Sequence, residues 1–221
     1  LFSSGCLGLG KARILPECGA LLDLVEDADK MRAMNHSSGN PKAKVFFALW
    51  PAAAERGQLA AWQKPLQHLC GGRAMRGGTL HNTLVFIGDV DEARLEALQW
   101  AAQEVKGEAF ELCFEVARYW GHNSIVYAAP AEVPQQLAQL VGALEQRLLV
   151  HGFKFDQREY QPHVTLLRNA RWTDAALPQK IPQKMPQMHC VCWQIREFAL
   201  MQSVTHNGLA DYRALARFTL G

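Results

Sequence analysis

The sequence predicts an α+β fold, a two-lobed domain with a central cleft, over residues 44–221. Two observations carry that prediction. The first is a repeated tetrapeptide. His81-Asn82-Thr83-Leu84 and His163-Val164-Thr165-Leu166 both read His-x-Thr-Leu, and both lie in short apolar runs of strand character. The second is a repeated order of elements. Strand, helix and His-x-Thr strand occupy residues 44–87, and helix followed by His-x-Thr strand recurs in 132–167. A repeat of this length reads as an internal duplication in which each lobe donates one histidine.

The elements follow in order. Residues 1–43 are rich in breakers, Ser3-Ser4-Gly5 and Ser37-Ser38-Gly39-Asn40-Pro41, around one short apolar stretch, 20–29, that can form a helix. They are expected to be a poorly ordered extension, with Met34 as a natural start. Val45-Phe46-Phe47-Ala48-Leu49-Trp50 is a strand stopped by Pro51. Leu59, Trp62, Leu66 and Leu69 fall at helical spacing in 53–70, where Pro65 should kink or split the helix, and Gly71-Gly72 ends it. The first His-x-Thr strand runs from His81 to Ile87. Asp89 or Asp91 can cap the next helix, 92–106, striped by Leu95, Leu98, Ala102 and Val105.

Phe110, Leu112, Phe114 and Val116 alternate with less apolar neighbours and predict one half-buried strand, with Ser124–Ala128 as its partner. A helix over 132–151 buries Leu137, Leu140, Val141, Leu144 and Leu148. The second His-x-Thr strand follows at 162–167. A loop containing Pro178, Pro182 and Pro186 leads to strands near 190–203 and 211–219.

Bulk properties exclude several classes. With 23 basic and 21 acidic residues the formal net charge is +2, too small for bulk electrostatic capture of nucleic acid, so any anion site is local. No apolar run approaches the roughly 20 residues that cross a bilayer, and the start lacks a secretory pattern. Cysteines at 6, 18, 70, 113, 190 and 192 form no CxxC framework, and the expectation is reduced thiols in a cytoplasmic protein.

The chemistry lies in the repeat. Strand residues i and i+2 share a face, so His81 lies with Thr83 and His163 with Thr165. If the two strands meet, two imidazoles and two hydroxyls converge. Cleaving a phosphodiester takes a base for the nucleophile and an acid for the leaving oxygen, and histidine suits both. The threonines offer neutral donors to non-bridging oxygens. Arg168, five residues after His163, can reach the same anion if a turn or strand end swings it there. Such a site needs no metal and no cofactor, and its activity should survive a chelator.

Pro162-His163-Val164-Thr165-Leu166-Leu167-Arg168-Asn169-Ala170, paired with His81-Asn82-Thr83-Leu84, resembles the 2H phosphoesterases, and within them the bacterial RNA 2′,3′-cyclic phosphodiesterase (2′-5′ RNA ligase, LigT/ThpR-like) branch. Val45–Leu49 resembles that family's opening strand. Phe198, Leu200 and Ser203, with Gly208, Tyr212 and Leu215, resemble its closing strand pair. The resemblance covers about 44–221. It implies a pseudo-two-fold fold with antiparallel sheets lining the cleft and helices outside. It also implies His81 as proton donor, His163 as proton acceptor on water, and Thr83, Thr165 and Arg168 as substrate-binding residues. The implied partner is RNA or a nucleotide bearing a 2′,3′-cyclic phosphate, opened to a 2′-phosphate by a monomeric enzyme. Rival readings are a non-catalytic RNA-end binder, and a phosphodiesterase for 2′-5′ oligoadenylate or ADP-ribose cyclic phosphate.

Two departures stand out. Asn82 occupies a position more often apolar and is expected to affect packing behind the strand. Gln157-Arg158-Glu159-Tyr160-Gln161 replaces a more aromatic lead-in. His189-Cys190-Val191-Cys192 is expected to be structural, since no second ligand pair at zinc spacing accompanies it. Arg73 and Arg76 are either guides for a polyanion or solvated loop residues. Phe46 and Phe47 are candidates to stack a base, but one must face the core, and core packing is the expectation for both.

Overall fold

Among the described residues every strand pairing is antiparallel, and most of the strands lie in one sheet. The computed structural model describes residues 41–171, 188–206 and 209–221. The helix expected at 20–29 and the proline loop at 178–186 lie outside the described residues.

The sheet strands are β1 (Lys42–Leu49), β2 (Arg73–Ala74), β3 (Asn82–Asp91), β5 (Val116–Trp120), β6 (Ile125–Ala129), β7 (Val164–Arg168), β9 (Glu197–His206) and β10 (Leu209–Thr219). Their order is β10-β9-β1-β3-β7-β6-β5, with β2 on β7. A second sheet pairs β4 (Phe110–Phe114) with β8 (Val191–Ile195). Four helices complete the described residues: α1 (Ala53–Ala61), α2 (Gln63–Cys70), α3 (Leu95–Gln103) and α4 (Gln135–Val150). No helix of the described residues is long and apolar enough to cross a membrane.

Alternation along β1 sets the layers. Val45, Phe47 and Leu49 point into the main core, where each is wholly buried, while Phe46 and Ala48 lie in a separate small cluster with Ala199 and Met201. One face of the sheet is covered by the helices. Leu137, Leu140, Val141, Leu144 and Leu148 form the buried stripe of α4 as their spacing predicts. Each such side chain contributes roughly 1.5–3 kcal/mol by leaving water. α3 and α4 pack together and onto β3 and β10, whereas α1 and α2 pack toward β2, β7 and β8. The sheet therefore has two halves, β10-β9-β1-β3 and β7-β6-β5, each backed by its own helix pair.

Several expected elements are divided. The helix expected over 53–70 breaks at Trp62. Pro65 is the cause: its ring would strike the carbonyl four residues back, on Ala61, which is where α1 stops. In α2 Pro65 falls in the first turn, where its missing N–H costs nothing. Asp91 precedes the next helical segment, but no side-chain cap bond forms there. That segment begins as a 3-10 turn, Glu92–Arg94, before α3.

The strand expected over 110–117 is two strands in two sheets, divided at Glu115. The Glu115 carboxylate accepts from the backbone N–H of Ala131 at 2.7 Å and holds the crossover. The strand expected near 190–203 divides likewise at Arg196. The expectation of reduced thiols fails at one pair. Cys113 and Cys192 face each other across β4 and β8 and are joined by a disulfide, whereas Cys70 and Cys190 are free. Spacing along the chain carries no trace of that cross-strand register.

Candidate active site

The two His-x-Thr strands meet at one residue pair, Asn82 with Val164. These are the middle residues of the two motifs, so the local two-fold axis passes between them. In antiparallel register His81 then lies across from Thr165, and His163 across from Thr83. All four side chains stand on one face. The histidines occupy a diagonal, for which strand geometry gives roughly 7–8 Å between backbones, room for a tetrahedral anion between the rings. His81, Thr83, His163, Thr165 and Arg168 line a single groove of about 220 Å³.

Arg168 reaches the groove by a device that spacing alone does not reveal. An odd offset of five from His163 belongs to the opposite face of a regular strand. The β6–β7 register steps from Tyr127↔Thr165 to Val126↔Leu167, leaving Leu166 as an extra residue. That bulge resets the alternation, so Leu166 and Leu167 are both buried and Arg168 returns to the groove side. The first motif carries the same device. The β1–β3 register steps from Ala48↔Thr83 to Phe47↔Val85, Leu84 is the extra residue, and Phe86 lines the groove. Phe86 and Arg168 are thus matched positions, and only the second lobe offers a cation there.

The imidazoles are anchored alike. His81 Nδ1 lies 2.7 Å from the carbonyl oxygen of Thr79, and His163 Nδ1 2.8 Å from that of Gln161. A carbonyl only accepts, so each Nδ1 carries the hydrogen and each Nε2 is left to exchange protons. Aromatic rings frame both. Trp50 stacks on His81 at 5.1 Å and 12°, while Phe46 and Tyr212 close on it at 5.0 Å. Trp120 and Tyr127 meet His163 edge-on at 4.7 and 5.8 Å.

Burial sets the electrostatics. It pulls His81 from 6.5 down to about 4, against the Thr79 bond that pulls upward, with the charge of His163 adding to the fall. His163 is lowered mainly by burial, again against its carbonyl bond, and further by the Arg168 charge.

Asn82 is wholly buried behind the groove, as expected, yet it is not inert packing. Its Oδ1 accepts from the His163 backbone N–H at 3.0 Å, and its Nδ2 donates to the Tyr160 hydroxyl at 3.0 Å. The chain therefore holds the second histidine from the middle of the first motif. Gln63 acts similarly, donating through Nε2 to the carbonyls of Met75 at 2.8 Å and Leu166 at 3.1 Å. Gly72 adds a close approach: its φ is +88°, and a Cβ there would sit 2.8 Å from the Arg168 carbonyl oxygen.

Lys44, Trp50, Thr79 and Trp120 are site neighbours that no motif marks, and Tyr212, which belongs to the closing-strand resemblance, is not expected at the site from sequence. Alternation with Ala48 is the signal that would have found Phe46 on the groove side. Of the loop arginines, Arg76 bonds the Ala210 carbonyl and lies 3.7 Å from Asp211, so it is already partnered, while Arg73 is exposed opposite Arg168. Among the described residues, the one cluster of three or more metal-ligating side chains, Cys113, Cys190 and Cys192, is not part of the groove.

Two carbonyl-anchored histidines, two hydroxyls and one guanidinium surround an anion-sized groove, the set of groups that acid–base cleavage of a phosphodiester calls for. Residues 50–207 match the family model of the 2′-5′ RNA ligase superfamily, and the chain belongs to that family. It is 29% identical over 177 residues to the RNA 2′,3′-cyclic phosphodiesterase of Escherichia coli, covering 80% of this chain and 96% of that one. It is 27% identical over 146 residues to the Bacillus subtilis protein of the same name, covering 63% and 76%. The crystal structure of E. coli LigT complexed with 3′-AMP superposes with a TM-score of 0.69 at 27% identity, over 81% of this chain and 99% of that one.

Proposed function

We propose that this chain is an RNA 2′,3′-cyclic phosphodiesterase that opens a terminal cyclic phosphate to a 2′-phosphomonoester. The observation that carries the reading is the pairing of Nδ1-anchored imidazoles across one groove beside a single arginine. His163 Nε2 takes a proton from water as the water oxygen bonds to phosphorus. The bond from phosphorus to the 3′-oxygen breaks, and His81 Nε2–H gives that oxygen its proton. The Arg168 charge beside His163 disfavours the imidazolium there, which supports His163 as the base. Burial holds His81 at about 4 in the free protein, so its role as the acid rests on the substrate phosphate anion, together with the face of the stacked Trp50 ring, favouring its imidazolium. Thr83, Thr165 and Arg168 hold the non-bridging oxygens, whose charge grows in the transition state.

With a 5′-hydroxyl in place of water, the same displacement would form a 2′-5′ bond: His163 takes the hydroxyl proton, its oxygen bonds to phosphorus, and the bond to the 3′-oxygen breaks as His81 protonates it. The E. coli and B. subtilis relatives, named RNA 2′,3′-cyclic phosphodiesterases, support the substrate class. The whole reading uses residues of one compact unit, Pro41–Gly221, whose first strand begins at Lys42 and so takes in two residues more than the 44–221 expected from sequence, and we assign it to a monomer acting on RNA ends in the cytoplasm.

The test is incubation with 2′,3′-cyclic nucleotides, RNA bearing 2′,3′-cyclic ends, 2′-5′ oligoadenylate and ADP-ribose cyclic phosphate, with 2′- and 3′-phosphate products resolved. The 2′-phosphate from cyclic-ended RNA is expected. Binding without turnover, or preference for either of the last two substrates, refutes the reading.

Arg168→Ala should lower kcat/KM roughly 10–150-fold, the equivalent of losing a charge-assisted bond of about 1.5–3 kcal/mol, with part of the loss in kcat because the charge it meets grows in the transition state. Arg168→Lys should recover part of that, because an ammonium supplies charge without the planar fork. Steady-state kinetics on a cyclic nucleotide measures both.

The pH dependence follows from the histidines. Rising pH strips the acid, His81, and falling pH protonates the base, His163. Both are held below their ordinary value of 6.5, so the bell of kcat/KM, which reports the free enzyme, should centre below pH 6.5. A bound phosphate anion favours the imidazolium, so the kcat bell should centre at higher pH than that of kcat/KM. Profiles with the order reversed would refute the assignment.

A further inference from the structure

The β4–β8 sheet carries a sulfur cluster that the groove chemistry does not use. Cys113 and Cys192 are paired across the strands and bridged, and Cys190 Sγ lies 3.2 Å from Cys192 Sγ. The three sulfurs lie within 4.8 Å of one another. Glu111, two residues before Cys113 on the same strand face, brings Oε2 to 3.9 Å from Cys113 Sγ. Glu111 and Glu115 both place negative charge beside Cys190. Cys190 and Cys192 are exposed and Cys113 is half-buried, so the cluster is open to solutes.

A staple needs two cysteines. A third thiol in contact with the bridge, ringed by carboxylates, is chemistry for a cation. Tetrahedral zinc with bonds of about 2.3 Å sets its ligand sulfurs roughly 3.8 Å apart, and the three sulfurs already fall within a small adjustment of that spacing once the bridge opens. We propose that Cys113, Cys190 and Cys192, when reduced, bind one thiophilic divalent ion of the zinc type, with the Glu111 carboxylate as fourth ligand. The cluster then alternates between a Cys113–Cys192 disulfide and a metal-bound trithiolate. Opening the bridge takes two electrons from a thiol reductant, which is itself oxidised to a disulfide. The cysteines gain two thiol protons in that step and release three on binding the metal. The expectation of a purely structural His189–Cys192 segment came from the lack of a second ligand pair in sequence. The third sulfur arrives instead from the partner strand, 77 positions before Cys190.

The test uses the full chain in a Cys6→Ser/Cys18→Ser background, reduced anaerobically, freed of reductant and titrated with Co(II). One equivalent should develop thiolate-to-cobalt charge transfer and the intense visible bands of four-coordinate cobalt, and zinc should displace them. Cys190→Ser should abolish those bands at the same cobalt concentration. Because Cys190 is exposed, its circular dichroism spectrum and turnover should match the parent. Glu111→Gln should keep the charge transfer and weaken affinity roughly tenfold or more. Only octahedral cobalt in the parent, unchanged bands in Cys190→Ser, or a bridge that resists reduction in the folded protein would each overturn the site.

Discussion

Replacing His81 or His163 with alanine should each lower kcat on a 2′,3′-cyclic nucleotide by about 10²–10⁴-fold, the range for losing a positioned proton-transfer group. The fold should survive. Each imidazole gives up one bond, to the carbonyl of Thr79 or Gln161, worth about 1 kcal/mol. Each is also a group that burial discourages from charging, so its removal relieves a desolvation cost below pH 6.5. Thermal unfolding measured beside the kinetics separates the two effects. The double variant should lose little more than the worse single one, because acid and base act on one transition state and their losses do not add. A rate within a few-fold of the parent in either single variant, with the protein folded, would remove that histidine from the chemistry.

The sequence made the repeat visible because the motif is short and its residue types are chemically distinctive. Two His-x-Thr-Leu runs at strand spacing required only alternation to share a face, and the structure brings all five site residues to one groove. Alternation also misled in one respect. Arg168 sits at an odd offset, and only the extra residue Leu166, seen in the register with β6, explains how it faces its histidine. A bulge is a property of two strands, so one strand's pattern cannot display it. The same limit divided the strand expected at 110–117. Its inward residues keep a clean period of two while the chain passes from one sheet to another at Glu115. The helix break at Trp62, by contrast, was legible from Pro65, because that clash is local to the chain. The Cys113–Cys192 contact and the groove-side aromatics Trp50 and Trp120 depend on pairing over long separations, and neither has a local signature.

Asn82 draws these two kinds of information together. Sequence places it behind the strand, where an apolar residue would serve, and it is wholly buried there. It nonetheless spans the seam, accepting from the His163 N–H and donating to Tyr160, at the one point where β3 and β7 pair. Asn82→Leu keeps the branched shape, with somewhat bulkier methyl ends, and strands both partners. Each buried group left without a bond costs about 1–3 kcal/mol, so stability should fall by roughly 3 kcal/mol. As a positioning residue, Asn82 should also affect rate. With the His163 backbone released, the base loses its aim, and kcat should fall roughly tenfold with KM little changed, since misplacement weakens only the reacting geometry. Tyr160→Phe is the control. It removes the partner of Nδ2 alone, so it should cost about 1 kcal/mol and leave kcat intact. Kinetics well below the unfolding temperature decide the matter. If Asn82→Leu lowers the melting point while kcat stays at the parental value, Asn82 only packs the seam, and the aim of His163 is set by its Gln161 carbonyl and the aromatic rings around it.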